Sequence, residues 1–341
     1  MHPESPLRKT LAGLILLMAT TLTDSHAALV IYYPLNETIG NVAVDAASLG
    51  GIQSATATIG ASNWQSGGII GGALQFSPTA QMDVDEALIY DTPTTADAII
   101  GAHPFTISLW VKTTAAPAWT QAATFLGNRT QAAQYYAVGM APTTNLPQLV
   151  ARNTTAVNTV GPSTVNDDQW HHITAVFTAT NSRSLYVDGR LVGTSSTNVT
   201  HPVTNRFAVG ALSRSTPTDS FIGTLDEVGL FDSAATEAEV ALLNAFPRYD
   251  PVALDDSDYA AALNVYNTQS GTVTTGTWTW AFTSGLVGPV GTTGTNGGSP
   301  YVVLDSFGNG LVAIPEPESA GLAAAVLGLL ALRPRRPESP K

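Results

Sequence analysis

From Phe105 to Lys112 the chain reads Phe-Thr-Ile-Ser-Leu-Trp-Val-Lys, with Phe105, Ile107, Leu109 and Val111 on one face and Thr106, Ser108, Trp110 and Lys112 on the other. Successive side chains of a strand point to opposite sides, so a period of two predicts a half-buried antiparallel strand. The pattern recurs downstream. Trp170 to Thr178 is rich in strand formers, Asn181-Ser182-Arg183 reads as a turn, and the runs 184–187 and 190–192 flank Asp188-Gly189. Asp-Gly between two apolar runs signals a type I′ hairpin, because both residues tolerate positive φ. Further strands are expected at 135–140, 148–152, 207–212 and 221–231. One helix is predicted: Thr236 and Glu239 have the spacing of a capping box ahead of Val240, Leu242, Leu243 and Phe246, with an end near Pro247. Short strands, turn residues between them and one short C-terminal helix describe an all-β fold of two packed antiparallel sheets.

Composition narrows what such a sandwich does. Charged residues make up 12% of the 341 positions, and cysteine is absent, which excludes disulfides, thiolate metal sites and cysteine nucleophiles. Between residues 28 and 314 there are 8 basic and 21 acidic residues. A body that acidic repels phosphate backbones, so nucleic acid is not an expected partner.

The two ends read as addresses. Residues 1–27 have Arg8 and Lys9, an apolar run from Leu11 to Ala19, and Ser25 and Ala27 flanking His26, the three parts of a secretory signal peptide. At the other end Pro315, Glu316 and Pro317 precede an apolar stretch from Ala320 to Leu332 and then Arg333, Arg335 and Arg336. Thirteen helical residues rise about 20 Å, short of the hydrocarbon core of a bilayer. Residues 315–341 resemble the PEP-CTERM sorting signal of exosortase-processed bacterial surface proteins. The resemblance implies a short transmembrane segment, a transient inner-membrane anchor, removal by an exosortase-type membrane protease, and a final place on the surface or in the extracellular matrix of a Gram-negative-type bacterium. A simple C-terminal membrane tail is the alternative.

Between these signals the order of motifs is specific. Leu29-Val-Ile-Tyr-Tyr-Pro-Leu-Asn36, Asp45, Gly71-Gly-Ala-Leu-Gln-Phe76 and the strand at 105–111 resemble the first half of a laminin-G-like, concanavalin A-like jelly roll. Gln169-Trp-His-His-Ile173, Leu185-Tyr-Val-Asp-Gly189, Phe207-Ala-Val-Gly210 and Gly223-Thr-Leu-Asp-Glu-Val228 resemble the second half. The resemblance covers residues 28–247. Residues 248–314 fall outside it; 17 of the 30 positions from Gly271 to Pro300 are Gly or Thr, yet Trp278, Trp280 and the run 301–304 suit a small β extension better than a solvated spacer.

The resemblance implies calcium ligands at Asp45 and Asp226, because calcium takes six to eight oxygens, many from loops. The loop after Asp45 departs from the family pattern, and both carboxylates equally suit capping of nearby turns. His171 and His172 are adjacent on a strand and point to opposite faces, so they do not share one ion and read as structural. Glycan hydrolysis needs two carboxyl groups flanking the bond. Only five glutamates lie between 28 and 314, no Glu-x-Asp-x-Glu string occurs, and Asp83-Val-Asp85 is expected to face solvent. Trp64 and Trp119 lie in turn-rich segments where an indole could stack on a sugar ring or plug the sandwich edge. The expected protein is therefore a non-catalytic surface or matrix protein binding extracellular polysaccharide or a surface protein. A polysaccharide hydrolase of jelly-roll fold and a purely structural envelope protein are the alternatives.

Overall fold

In a computed structural model the described residues are 29–47, 55–57, 63–82, 87–249, 256–275, 278–296 and 299–314. The segment read as a secretory signal, Asp83-Val-Asp85, and the segment read as a sorting signal with its short apolar stretch lie outside them. Among the described residues no helix is long and apolar enough to cross a membrane.

Residues 29–231 form two eight-stranded antiparallel sheets. Across the first, the order is Arg190–Ser195, Ser182–Val187, His171–Ala179, Phe105–Lys112, Gly223–Phe231, Ala73–Phe76 and Trp64–Gln65, with Leu29–Tyr33 paired to the later part of Gly223–Phe231. Across the second it is Thr155–Val160, Pro147–Asn153, Gln134–Met140, Gln121–Gly127, Arg206–Val209, Leu88–Asp91, Ala55–Ala57 and Val42–Ala43. This is the jelly-roll sandwich expected from the alternation. Phe105, Ile107, Leu109 and Val111 face the second sheet and pack with Leu126, Tyr136, Val138 and Phe207. Each such side chain contributes about 1.5–3 kcal/mol by leaving water.

The Asp188-Gly189 turn has φ of 49° and 75°, as a type I′ hairpin requires. Two local expectations differ. Ser182 and Arg183 belong to a strand rather than to a turn, with Arg183 buried. The strand begun at Arg206 stops at Val209, because Gly210 takes φ of 94° and turns the chain away.

The largest difference concerns the outer face of the first sheet. Phe105–Lys112 is buried at every position before Lys112, including Trp110 at 1% exposure, so the strand is covered on both sides rather than half-buried. Helix α1 (Glu237–Tyr249), capped reciprocally by Thr236 and Glu239 as expected, supplies part of the cover: Val240 packs on Val176 and Tyr186. The helix runs on past Pro247 and has a second apolar flank.

That flank, Ala241, Leu242 and Ala245, joins a separate core with Trp280, Val302 and Leu311. These come from a five-stranded sheet ordered Thr272–Thr275, Trp278–Thr283, Gly310–Ile314, Ser299–Val303 and Thr293–Asn296, preceded by α2 (Asp256–Thr268). The extension is thus a packed α+β unit, and α1 serves both cores. A second helix was not expected from the pattern: three of its apolar residues are consecutive alanines, Ala260 to Ala262, which favour helix without marking a face.

Candidate functional site

Two acidic side chains stand out where the Gly223–Phe231 strand bulges. Its register against Phe105–Lys112 shifts between Asp226 and Gly229, and Glu227 takes φ of 52°. Asp226 is fully buried on the covered face. Its Oδ2 accepts the amides of Ile69 (2.7 Å) and Ile70 (3.3 Å), and its Oδ1 accepts that of Glu227 (2.9 Å). The carboxylate therefore ties the 67–72 turn to the sheet, and Gly68 is required there because a Cβ would collide with the Gly72 carbonyl and with Asp226 itself. Glu227 Oε2 accepts the Tyr32 hydroxyl, while Oε1 is buried without a hydrogen-bond partner. Burial pushes Asp226 up to about 9, with the Glu227 charge adding and the three amides opposing. Burial also pushes Glu227 up to about 7, against the Tyr32 hydrogen bond.

Asp45 meets the neighbouring strand Leu29–Tyr33, which pairs with Gly223–Phe231. Its Oδ1 accepts the amides of Tyr32 (2.9 Å) and Ala47 (3.0 Å). Tyr32 thus touches Asp45 through its backbone and Glu227 through its hydroxyl, and no hydrogen bond between Asp45 and Asp226 exists among the described residues. Five amide hydrogens point at these two carboxylates, where a cation would demand oxygens. No group of three His, Asp or Glu among the described residues could hold a metal ion. These amide contacts make both carboxylates turn caps.

Both candidate indoles are half-buried and anchored to backbone. Trp64 Nε1 donates to Gly40 O (3.0 Å) with its ring against the sandwich core, and Trp119 Nε1 donates to Ser220 O (3.0 Å). Trp64 stands on the edge strand of the first sheet and Trp119 in the turn entering the second, and no contact between the two rings occurs among the described residues. His171 donates to Asp188 (2.9 Å) and Asp167 (3.1 Å), while His172 lies 2.7 Å from Ser108 Oγ on the covered face. The Asp188 hydrogen bond raises the His171 pKa, against its burial.

A further cluster on the outer face of the second sheet was not read from the sequence. Arg152, Tyr135, Gly127, Arg206 and Asp91 are successive partners across five strands, so their side chains share that face. Arg206 holds Asp91 bidentately (2.6 and 2.7 Å), and the Arg152 guanidinium lies 5.7 Å from the Tyr135 ring centroid. Alternation around Val150 and Ala137 predicts the facing of Arg152 and Tyr135; which strands are neighbours it does not predict.

Residues 90–241 match the concanavalin A-like lectin/glucanases superfamily. That stretch of the sandwich is therefore similar to a concanavalin A-like domain. Similar solved structures include domain 4 of AbnA, a GH43 extracellular arabinanase from Geobacillus stearothermophilus, in complex with arabinotriose, at 18% identity and TM-score 0.46 over 64% of this chain and 99% of that one. The Ruminococcus gnavus IT-sialidase CBM40 bound to α2,3 sialyllactose is 16% identical at TM-score 0.40, over 52% of this chain and 100% of that one. The binding domain of botulinum neurotoxin DC in complex with SialylT is 10% identical at TM-score 0.43, over 64% and 51%. No curated protein matches the chain in sequence.

Proposed function

We propose that this chain is an exported bacterial surface or matrix protein whose concanavalin A-like domain binds extracellular polysaccharide or a surface protein without catalysis. The observation that supports the reading is that residues 90–241 match a superfamily named for lectins and glucanases, while Asp226, raised to about 9 by burial, spends both carboxyl oxygens on backbone amides. Asp226 has no exposed surface, and each of its oxygens is committed to the backbone. A glycosidase needs an acid and a base reaching opposite sides of a bond, which a buried turn cap cannot do. Export rests on residues 1–27. Release from a transient inner-membrane anchor by an exosortase-type protease rests on Pro315, Glu316, Pro317 and the arginines at 333, 335 and 336.

The test pairs a glycan array with a reducing-sugar assay on the same polysaccharides. Binding without sugar release supports the proposal. Release from any polysaccharide overturns the non-catalytic part, and no binding to any glycan or surface protein leaves the structural-envelope alternative. Intact-mass analysis of the native protein checks the tail: a species ending at Lys341 in outer fractions refutes processing.

A further inference from the structure

Four of the eight basic residues between 28 and 314 gather on one face of the second sheet, in a body with 21 acidic residues. Arg129 donates to Thr92 O (3.0 Å), Arg206 holds Asp91 and reaches the Arg214 carbonyl (2.8 Å), and Arg214 bonds Thr218 Oγ1 (2.6 Å) near Asp219 (3.4 Å). These three are fixed by their neighbours. Arg152 differs: Nε donates to Thr154 O (3.1 Å), the guanidinium rests over Tyr135, and no carboxylate pairs with it among the described residues. Tyr135 and Val150 belong to an apolar cluster with Phe125, Ala208 and Leu212, so the cation stands on a rigid floor at the open side of the sheet. Beside it Ala156 and Asn158 project from the exposed Thr155–Val160 strand.

We infer that this face binds a negatively charged polysaccharide, with Arg152 as the anion-pairing residue; the inference rests on the glycan-binding reading above. Charge complementarity selects the occupant. A guanidinium held over a ring and tied through Nε to Thr154 O has its remaining N–H groups free to meet a carboxylate bidentately. Asp91 and Asp219 are taken up by Arg206 and Arg214, and near physiological salt the Debye length is about 8 Å, so exposed charges farther than that from Arg152 are largely screened. Tyr135 serves as a positioning residue, since its ring is covered by Arg152 and is not itself a stacking platform.

The test is calorimetric titration of the full chain with polygalacturonate and with dextran. Polygalacturonate is expected to bind, dextran to bind far more weakly, and Arg152→Gln to raise Kd about tenfold, with a further loss on adding salt. Arg190→Gln, a cation outside the cluster, is the control for net charge. Thermal midpoints verify folding of both variants, and Arg152→Lys separates charge from fork geometry by restoring part of the affinity. Equal binding of both polysaccharides with no effect of Arg152→Gln overturns this inference and leaves the glycan reading standing. Equal loss in Arg152→Gln and Arg190→Gln, or retention of acidic protein or DNA in place of polygalacturonate, also overturns it. Failure to bind any glycan overturns both.

Discussion

A Cβ on Gly291 would come within 2.6 Å of the Gly189 carbonyl oxygen, so the C-terminal unit meets the hairpin tip of the sandwich through two glycines. Asn244 of α1 borders the same contact. The helix that serves both cores and the glycine junction therefore fix one end of the sandwich against the C-terminal unit.

Gly291→Ala should destabilise the chain by about 1–3 kcal/mol through positive φ plus collision. Gly271 supplies the control: it has the same φ of 81° as Gly291, but nothing lies within 4 Å of its would-be Cβ. Denaturant midpoints of the two alanine variants separate strain from contact. Equal losses would show that the junction carries no packing.

Asp226→Ala should cost about 2–4 kcal/mol, since it leaves the amides of Ile69, Ile70 and Glu227 without their acceptor inside the protein. Because these amides already occupy the carboxylate, adding calcium or a chelator to the unaltered chain should leave its thermal midpoint unchanged. A calcium-dependent rise, abolished by Asp226→Ala, would restore the metal reading of Asp45 and Asp226.

What was legible in advance divides along physical lines. Phe105–Lys112, the Asp188-Gly189 hairpin and the Thr236–Glu239 cap are local patterns whose geometry follows from period, turn chemistry and side-chain reach, and each is present in the structure. The cover on Val176 and Tyr186 is a tertiary fact; alternation says which side is apolar and says nothing of Val240 arriving from a helix beyond the last strand of the sandwich. The same limit explains the site. Asp226 was singled out from its motif, but its burial and its bonds to Ile69 and Ile70 depend on a turn 157 residues distant. Arg152 and Arg206 come onto one face of the sheet only through the strand order.

Glu227→Gln should change how stability varies with pH. Its folded-state pKa, about 7, lies above the 4.5 of an unperturbed carboxyl, so the folded protein holds the proton more tightly than the unfolded chain. The contribution to stability is then full below about pH 4.5 and is lost as pH rises toward 7. Glutamine stays neutral and still accepts the Tyr32 hydroxyl. Relative to the unaltered chain, the variant should gain on the order of 2–3 kcal/mol between pH 4.5 and 8, read from denaturant midpoints. A pH-independent difference would show that Glu227 does not titrate in that window.

Histidines 103 and 201 should act in the opposite direction. Tyr136 Oη lies 3.0 Å from His103 Nε2 and 3.0 Å from His201 Nδ1, and His201 Nε2 donates to Ile100 O at 3.2 Å. One assignment satisfies all three contacts: His103 Nε2–H donates to Tyr136, Tyr136 O–H donates to His201 Nδ1, and both imidazoles are neutral. Burial lowers both histidines, His103 to about 4, with His201 and the buried Arg183 guanidinium opposing a charge there. A folded-state pKa below the ordinary 6.5 gives stability that is present above that value and is lost as pH falls toward 4. Protonating His201 at Nδ1 also removes the acceptor for Tyr136, so the chain of hydrogen bonds breaks as charge enters. His103→Gln should therefore flatten the acid side of the stability profile between pH 6.5 and 4 while leaving its slope near pH 8 unchanged. If the variant and the unaltered chain lose stability in parallel over that interval, the proton chain is not the acid-sensitive element.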